Sequence, residues 1–394
     1  MKVESGLHRY LGFYAEMPRL LKKVGLDLDA LFYWEDEIVI TLEGGNTGSF
    51  GLAPLFKPLR TLKSVFGNNN IFNIKDKLKI ARFMALGIKD CLMKRKFMDS
   101  ITILEYARKL NLPDKLVTRM VTPLSAGLFF LQPDKYSAFV FFGLFLPYLH
   151  RSIAVRVGAF NGGMTEIMAN PIADYIRRKG GVVVHSAPVT RLINKANKIV
   201  GVEVNGDEYL ADHTILATSL HPAQQLLKSA FPDHPHFRNM YRLKTMPSVT
   251  IQFELNERST PKDRTTFAPE TCLASFAEQN QSTFKHVPGR LSVILTPPEK
   301  FVDMPKEEIL KMVCDDFDRI NIPIRNKITD YRIVIEPQEF YALIPGMEWL
   351  KPTQATVIPG LYLAGDYTRQ RYLATMEGAV YSGRLAAKAV LKRA

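Results

Sequence analysis

Residues 360–390 read GLYLAGDYTRQRYLATMEGAVYSGRLAAKAV, an apolar run into Gly-Asp followed by a helical pattern of small residues. The run GLYLAG predicts a buried strand, ended by Gly365 so that the backbone can approach a ligand. Asp366 then stands where a carboxylate accepts hydrogen bonds from a ribityl or ribose hydroxyl. From Met376 onward the helix carries Gly378, Ala379, Ser382 and Gly383, so little side chain shields its first turns. Its amides and positive dipole end stabilise negative charge on a ring carbonyl or a phosphate. A reduced flavin places such charge along its N1 and C2-carbonyl edge. A strand–turn–helix packed closely for its own sake would use the same residues, and the stretch alone does not separate the two readings.

Two other stretches favour a cofactor. TILATSLHPA (214–223) is an apolar strand ending in Ala217 and Thr218, small residues suited to the edge of a crevice. GGVVVHSAPVTRLI (180–193) has a helix-ending Gly-Gly, a strand, and Val189 at a turn where a backbone can pair with an adenine edge. Each is weak alone; three in this order point to a dinucleotide cofactor.

Composition sets the outer limits. A chain of 394 residues with 46% hydrophobic and 23% charged residues is a folded globular protein with room for two packed units or one large mixed one. Its net charge of +13 points to an anionic partner. Cys91, Cys272 and Cys314 are too scattered for a zinc site or disulfide framework and suit buried thiols in a reducing compartment. MKVESGLHRYLGFY does not read as a signal peptide. The longest apolar run, SAFVFFGLFLPYL (137–149), is too short to span a bilayer.

The pattern divides the chain into interleaved parts. Residues 1–40 hold a GLH loop and the start of a substrate region, and 41–155 are mostly helical, with Ser100 as an expected N-cap. Residues 156–235 carry a first cofactor region of helix and β-branched runs. Residues 236–350 supply further strands and the helix PKEEILKMVCDDFDRI, and 351–394 return to the cofactor pattern. EGGNTGSFG (43–51) is glycine-rich but has no G-x-G-x-x-G spacing and reads as a loop. Between Lys57 and Lys96 eleven Lys or Arg face only Asp76 and Asp90, with aromatics between them. That composition suits an anionic bilayer surface; a solvated face on a core helix is the plainer alternative. No nucleic-acid motif accompanies it.

AGDYTRQRYLATMEGAVYSGRLAA resembles the carboxyl-terminal FAD motif of the plant and cyanobacterial carotenoid desaturases, within the amine-oxidase-like FAD flavoprotein superfamily. Gly-Asp-Tyr-Thr, where ζ-carotene desaturases usually have Gly-Ser-Tyr-Thr, leans toward the phytoene branch. ESGLHRYLGFYAEMPRLLKKVG, APLFKPLRTLKSVF, ILEYARKLNLPDKLVTRMVTPLSAGLFFLQPDKYSA and IPGMEWLKP resemble further parts of that family, so the likeness runs over essentially the whole chain. It implies an α/β (mixed α+β) fold of the FAD-linked reductase type, in which an incomplete Rossmann-like FAD domain is interleaved with a helical, membrane-facing substrate domain. By position it places Gly365, Asp366, Met376, Gly378 and Ala379 at the flavin, Val189 at the adenine, Ala217 and Thr218 on the second cofactor strand, and Gly6, Leu7 and His8 beside the ring.

The resemblance implies FAD-dependent desaturation of a long apolar isoprenoid, by hydride transfer to flavin N5 and loss of a neighbouring proton. A quinone-type acceptor would reoxidise the flavin at a membrane surface, on the cytoplasmic or plastid-stromal side. Phe129, Phe130, Phe139, Phe142, Phe145 and Leu146 are candidate tunnel walls, though such a stripe is more often plain core. No catalytic base is named and no metal is expected. Two departures keep alternatives open. The family's G-x-G-x-x-G unit is not among these residues, and Ile167 stands where the phytoene branch has an arginine. Another amine-oxidase-like oxidoreductase, such as a hydroxysqualene dehydroxylase, or a non-catalytic lipid-binding relative without FAD, would share the frame.

Overall fold

The computed structural model describes residues 1–35, 37–51, 70–150 and 156–392. β1 (Tyr10–Leu11), α1 (Glu16–Lys23), β2 (Phe32–Trp34), β3 (Glu37–Thr41) and β4 (Thr47–Gly51) come first. EGGNTGSFG is therefore only partly a loop: its first glycines turn, and residues 47–51 pair antiparallel with β3. The segment APLFKPLRTLKSVF lies outside the described residues.

Side-chain caps decide where the next helices start. In α2 (Ile74–Met93) Asn73 accepts from the Asp76 amide at 2.9 Å, while Asp76 accepts from the Asn73 amide at 3.1 Å. In α3 (Ile103–Lys109) Thr102 and Glu105 do the same at 3.1 and 2.7 Å. The expected cap at Ser100 is thus displaced by two residues. Ser100 has Ile103 three positions on, without an acceptor to return the bond, and its hydroxyl donates backward to the Phe97 carbonyl at 2.8 Å. α4 (Thr122–Phe129) and α5 (Ala138–Gly143) complete the helical region.

β5 (Val157–Phe160) and α6 (Asn170–Arg178) lead to β6 (Val189–Lys195), β7 (Lys198–Val204), β8 (Asp207–Leu210) and β9 (Thr214–Leu216). After α7 (Leu220–Ala230) come β10 (Thr245–Leu255), β11 (Thr266–Phe267), β12 (Leu273–Glu278) and β13 (Gly289–Leu295). α8 (Lys306–Arg319), β14 (Ile328–Tyr341), β15 (Leu361–Leu363) and α9 (Met376–Leu391) close the chain. The expected strand between Gly181 and Val189 is absent: β6 begins only at Val189. An extended run needs a neighbour for its amides, and none of the described strands pairs with Val182–Val184. Val182 is 82% exposed.

The largest sheet has the order β14-β10-β13-β12-β11-β3-β4, with β3 parallel to β11. Residues 37–51 therefore finish a sheet built mostly from residues 245–341. Smaller sheets are β1-β5-β2, β6-β7-β8 and the parallel pair β15-β9. A buried ion cluster ties the first of these to the large sheet: Arg9 reaches Glu35 at 2.8 Å and Asp263 at 2.6 Å, and Glu35 also accepts from the Thr265 amide at 2.8 Å. Removing one member would strand the others without water.

On α2 the buried residues Phe83, Gly87 and Cys91 fall at successive fourfold spacing and face α5. The Phe142 ring lies where a Gly87 β-carbon would be, and Phe142 is itself fully buried. Gly87→Ala is expected to lower stability by about 1–3 kcal/mol through overpacking, read as a shifted urea midpoint with unchanged slope; an unshifted midpoint would refute this helix contact.

Candidate functional site

β15 and β9 run parallel, so their carboxyl ends open on the same edge, where the Ala364 amide donates to the Leu216 carbonyl at 2.9 Å. This edge sets Ala217 and Thr218 beside Gly365 and Asp366. Crevices at the carboxyl ends of parallel strands are where such sheets take ligands. Gly365 has φ 149°, a conformation open to glycine, and the Tyr367 ring occupies the space of a β-carbon. Buried hydroxyls lock this turn: Ser382 accepts from the Gly365 amide at 3.0 Å, lies 2.7 Å from the Thr368 hydroxyl, and Gln354 donates to Thr368 at 2.9 Å.

The loop between Asp366 and α9 is stapled by Gln370. Its amide nitrogen donates to the Asp366 carbonyl at 3.1 Å and the Leu373 carbonyl at 2.6 Å, and its oxygen accepts from the Tyr372 amide at 2.5 Å. Leu373 is thereby held at φ 55°, a strained conformation for a leucine. Thr375 caps α9 by accepting from the Gly378 amide at 3.1 Å, and the Leu373 carbonyl packs where a Gly378 β-carbon would stand.

Glu377, fully buried, joins this motif to the amino-terminal part. It accepts from the Ala15, Glu16 and Met17 amides at 2.6, 2.8 and 2.9 Å, so one carboxylate satisfies the first turn of α1. Burial, with the Glu377 charge beside it, pushes the neighbouring Tyr14 hydroxyl far up, so it stays protonated.

The GLH loop is anchored from below. Glu4 holds His8 Nδ1 at 2.8 Å and accepts from the Met164 amide at 2.7 Å. Buried Arg290 donates to the Lys2 carbonyl and to Gln252, each at 2.6 Å. Gly6 lies against Thr250 of β10. Burial and Glu336 push the Glu339 carboxyl of β14 up while the His8 charge pulls it down, and the Glu339 charge in turn reaches Asp366. Burial pushes the Asp366 carboxyl up to about 6, and Glu339 adds to the rise, against the pull of buried Lys351. Lys351 donates to the Tyr341 hydroxyl at 2.8 Å and pairs with Glu348 at 2.6 Å. Burial and Glu348 likewise push buried Asp99 up to about 7.

Of the residues expected from sequence, Gly365, Asp366, Met376 and Gly378 share one loop and helix start, with Ala217 and Thr218 alongside. Ala379 is on that helix and exposed. Val189 begins β6 on a different sheet. Ile167 packs under the aromatic cluster of Tyr10 and Phe13 and brings no charge. Among the expected wall residues, Phe139 and Leu146 line a half-open cavity of about 540 Å³ beside the motif, whereas Phe142 and Phe130 are core. Gln370, Glu377, Lys351 and Glu339 went unread, because their partners are distant in sequence or depend on the loop's fold.

The arrangement fits the ring and ribityl end of a flavin. No acceptor among the described residues meets the Met376 and Glu377 amides at the positive end of α9, and the Tyr367 hydroxyl is buried without a partner next to Asp366. For the pyrophosphate, residues 1–394 contain no G-x-G-x-x-G turn. Among the described residues no group of side chains suits a metal ion.

Residues 2–391 match the family model for flavin containing amine oxidoreductases. The 15-cis-phytoene desaturase of Synechococcus elongatus is 26% identical over 414 residues, covering 99% of this chain and 86% of that protein. The probable zeta-carotene desaturase of the same organism is 27% identical, covering 99% and 89%. The chloroplastic/chromoplastic 15-cis-phytoene desaturase of Capsicum annuum is 26% identical, covering 99% and 69%. Among solved structures, an oxidoreductase from Methanosarcina mazei superposes with TM-score 0.70 at 15% identity, covering 100% and 90%. Putrescine oxidase bound to putrescine gives 0.70 at 13%, covering 99% and 88%.

Glu377→Gln puts an amide nitrogen where three backbone N–H groups point and is expected to cost about 1–3 kcal/mol, measured as a lowered denaturant midpoint. Asp99 titrates near 7 folded but near 3.9 unfolded. Between those values the folded chain binds one more proton than the unfolded chain, so this group's contribution erodes as pH rises and is flat above. Asp99→Asn should therefore gain stability relative to the parent from pH 4 to 7, by at most about 1.4 kcal/mol per pH unit. A difference independent of pH would contradict the assignment.

Proposed function

Because the chain belongs to the flavin-containing amine oxidoreductase family, we infer that it oxidises a long apolar isoprenoid, of the kind that phytoene-type desaturases accept, at a CH–CH bond. One observation carries this reading. The cavity of about 540 Å³ is walled by Phe13, Phe139, Leu146 and Pro147 and closed on one side by Tyr372 and Leu373 of the flavin motif itself. An apolar chain in that cavity lies against the motif loop.

The flavin, when bound, supplies the two-electron acceptor for the hydride that leaves carbon. The chain's own residues do the rest. Gln370 fixes the loop so that Leu373 projects toward the cavity side at Gly143, and the α9 amides favour negative charge on the cofactor. Glu4 orients His8, and the apolar walls exclude water while selecting by shape, since a hydrocarbon offers no hydrogen-bonding handle. The proton lost from the neighbouring carbon is assigned to no side chain. An amine substrate is disfavoured by Arg95, Arg369 and Arg371 at the same cavity, which repel an ammonium group.

The exposed face of α2 supports access from a membrane surface. Lys75, Lys79, Arg82 and Lys89 share it with Leu78, Leu92 and Met93. No helix among the described residues is long and apolar enough to cross a bilayer.

The test is to add FAD to the purified chain and supply phytoene in liposomes with a quinone under exclusion of oxygen. Conjugated polyene bands are the expected result, abolished by Gly365→Val. Flavin retention without polyene would remove phytoene as substrate, and failure to retain FAD would favour the lipid-binding alternative.

A further inference from the structure

A hydrocarbon leaves the most charged part of the cavity unexplained. Arg95, just after α2, and Arg369 and Arg371, on the motif loop, line the same cavity as Phe139 and Leu146. Its acidic lining residue, Glu348, is already engaged by Lys351 at 2.6 Å. Among the described residues no carboxylate pairs with Arg95 or Arg369. Arg371 lies over the Tyr372 and Tyr381 rings at 4.9 and 5.1 Å, and among the described residues no carboxylate pairs with it. Among the described residues no lysine lines the cavity.

We propose that this cavity binds an amphiphile, with its apolar chain inside and a phosphate-bearing head on Arg95, Arg369 and Arg371. The chain part rests on the substrate reading above; the head is a new element. Guanidinium groups match phosphate oxygens with paired, charge-assisted hydrogen bonds, which a point-like ammonium does not reproduce. At the rim of an apolar wall these bonds are less screened than in bulk water. A membrane phospholipid and a free prenyl phosphate share this chemistry.

Trp349 lines the cavity, is 49% exposed, and is one of two tryptophans, so its fluorescence in a Trp34→Phe background reports occupancy. Neither flavin nor turnover is needed. Monomeric dodecyl phosphate should bind at least about tenfold more tightly than dodecanol, with the advantage shrinking as salt rises. It should vanish in the Arg95→Ala, Arg369→Ala double variant while dodecanol binding stays unchanged. Calorimetry on the unsubstituted chain checks the ranking independently of the Trp34 change. Vesicles of phosphatidylcholine with and without phosphatidylglycerol identify the source. Binding of monomeric dodecyl phosphate supports a free amphiphile, and a response confined to the anionic vesicles supports a lipid head. Equal binding of dodecanol and dodecyl phosphate with no vesicle preference overturns the proposal. So does a preference that survives the double variant, or inorganic phosphate competing as well as the amphiphile. Turnover of a neutral isoprenoid without any phosphate preference would refute the head-group site alone, whereas phosphate preference without turnover would count only against the desaturase reading.

Discussion

The Glu377 carboxylate faces three amide hydrogens that no helix can satisfy internally, and the geometry of the site depends on that meeting. An ionised side chain without water is tolerable only when fully hydrogen-bonded. The Ala15, Glu16 and Met17 amides supply those bonds and the positive end of α1 adds to them. The same bonds fix where α9 starts relative to the amino-terminal loop. Glu16 adds a second tie, reaching Arg384 of α9 at 3.0 Å. Between these anchors the motif loop has little freedom, and Gln370 removes most of what is left.

Much of this was legible in the residues themselves. Gly365, Asp366 and Gly378 could be read because their roles are local: a turn, a strand end, a helix first turn. The β3–β4 hairpin was missed for the opposite reason, since residues 47–51 become a strand only by pairing with β3 at the edge of a sheet built elsewhere. Val182–Val184 carries a strand composition without a strand, because composition does not supply a neighbour. Glu377 sat in plain view within the motif, yet its partners are some 360 residues earlier and no periodicity announces them. The aromatic stripe divided along the same line. Phe139 and Leu146 reached the cavity, while Phe142 went to the α2 contact that Gly87 makes room for.

The cavity combines two physical demands. Its walls are largely apolar, and Arg95, Arg369 and Arg371 put positive charge on its lining. Those properties are separable by mutation because they lie on different side chains, Phe13, Phe139, Leu146 and Pro147 on one hand and Arg95, Arg369 and Arg371 on the other.

The interleaving of the chain has a kinetic side. β3 waits for β11, more than two hundred residues later, and α1 waits for Glu377 near the carboxyl end. During synthesis neither the large sheet nor the first helix can reach its final bonding until almost the whole chain has left the ribosome. Contacts of such long range fold slowly. The aromatic cluster of Tyr10, Phe13 and Phe32 gains part of its cover from Leu144, Phe160 and Ile167, but that cover is complete only once Tyr372 and the first turns of α9 have been made.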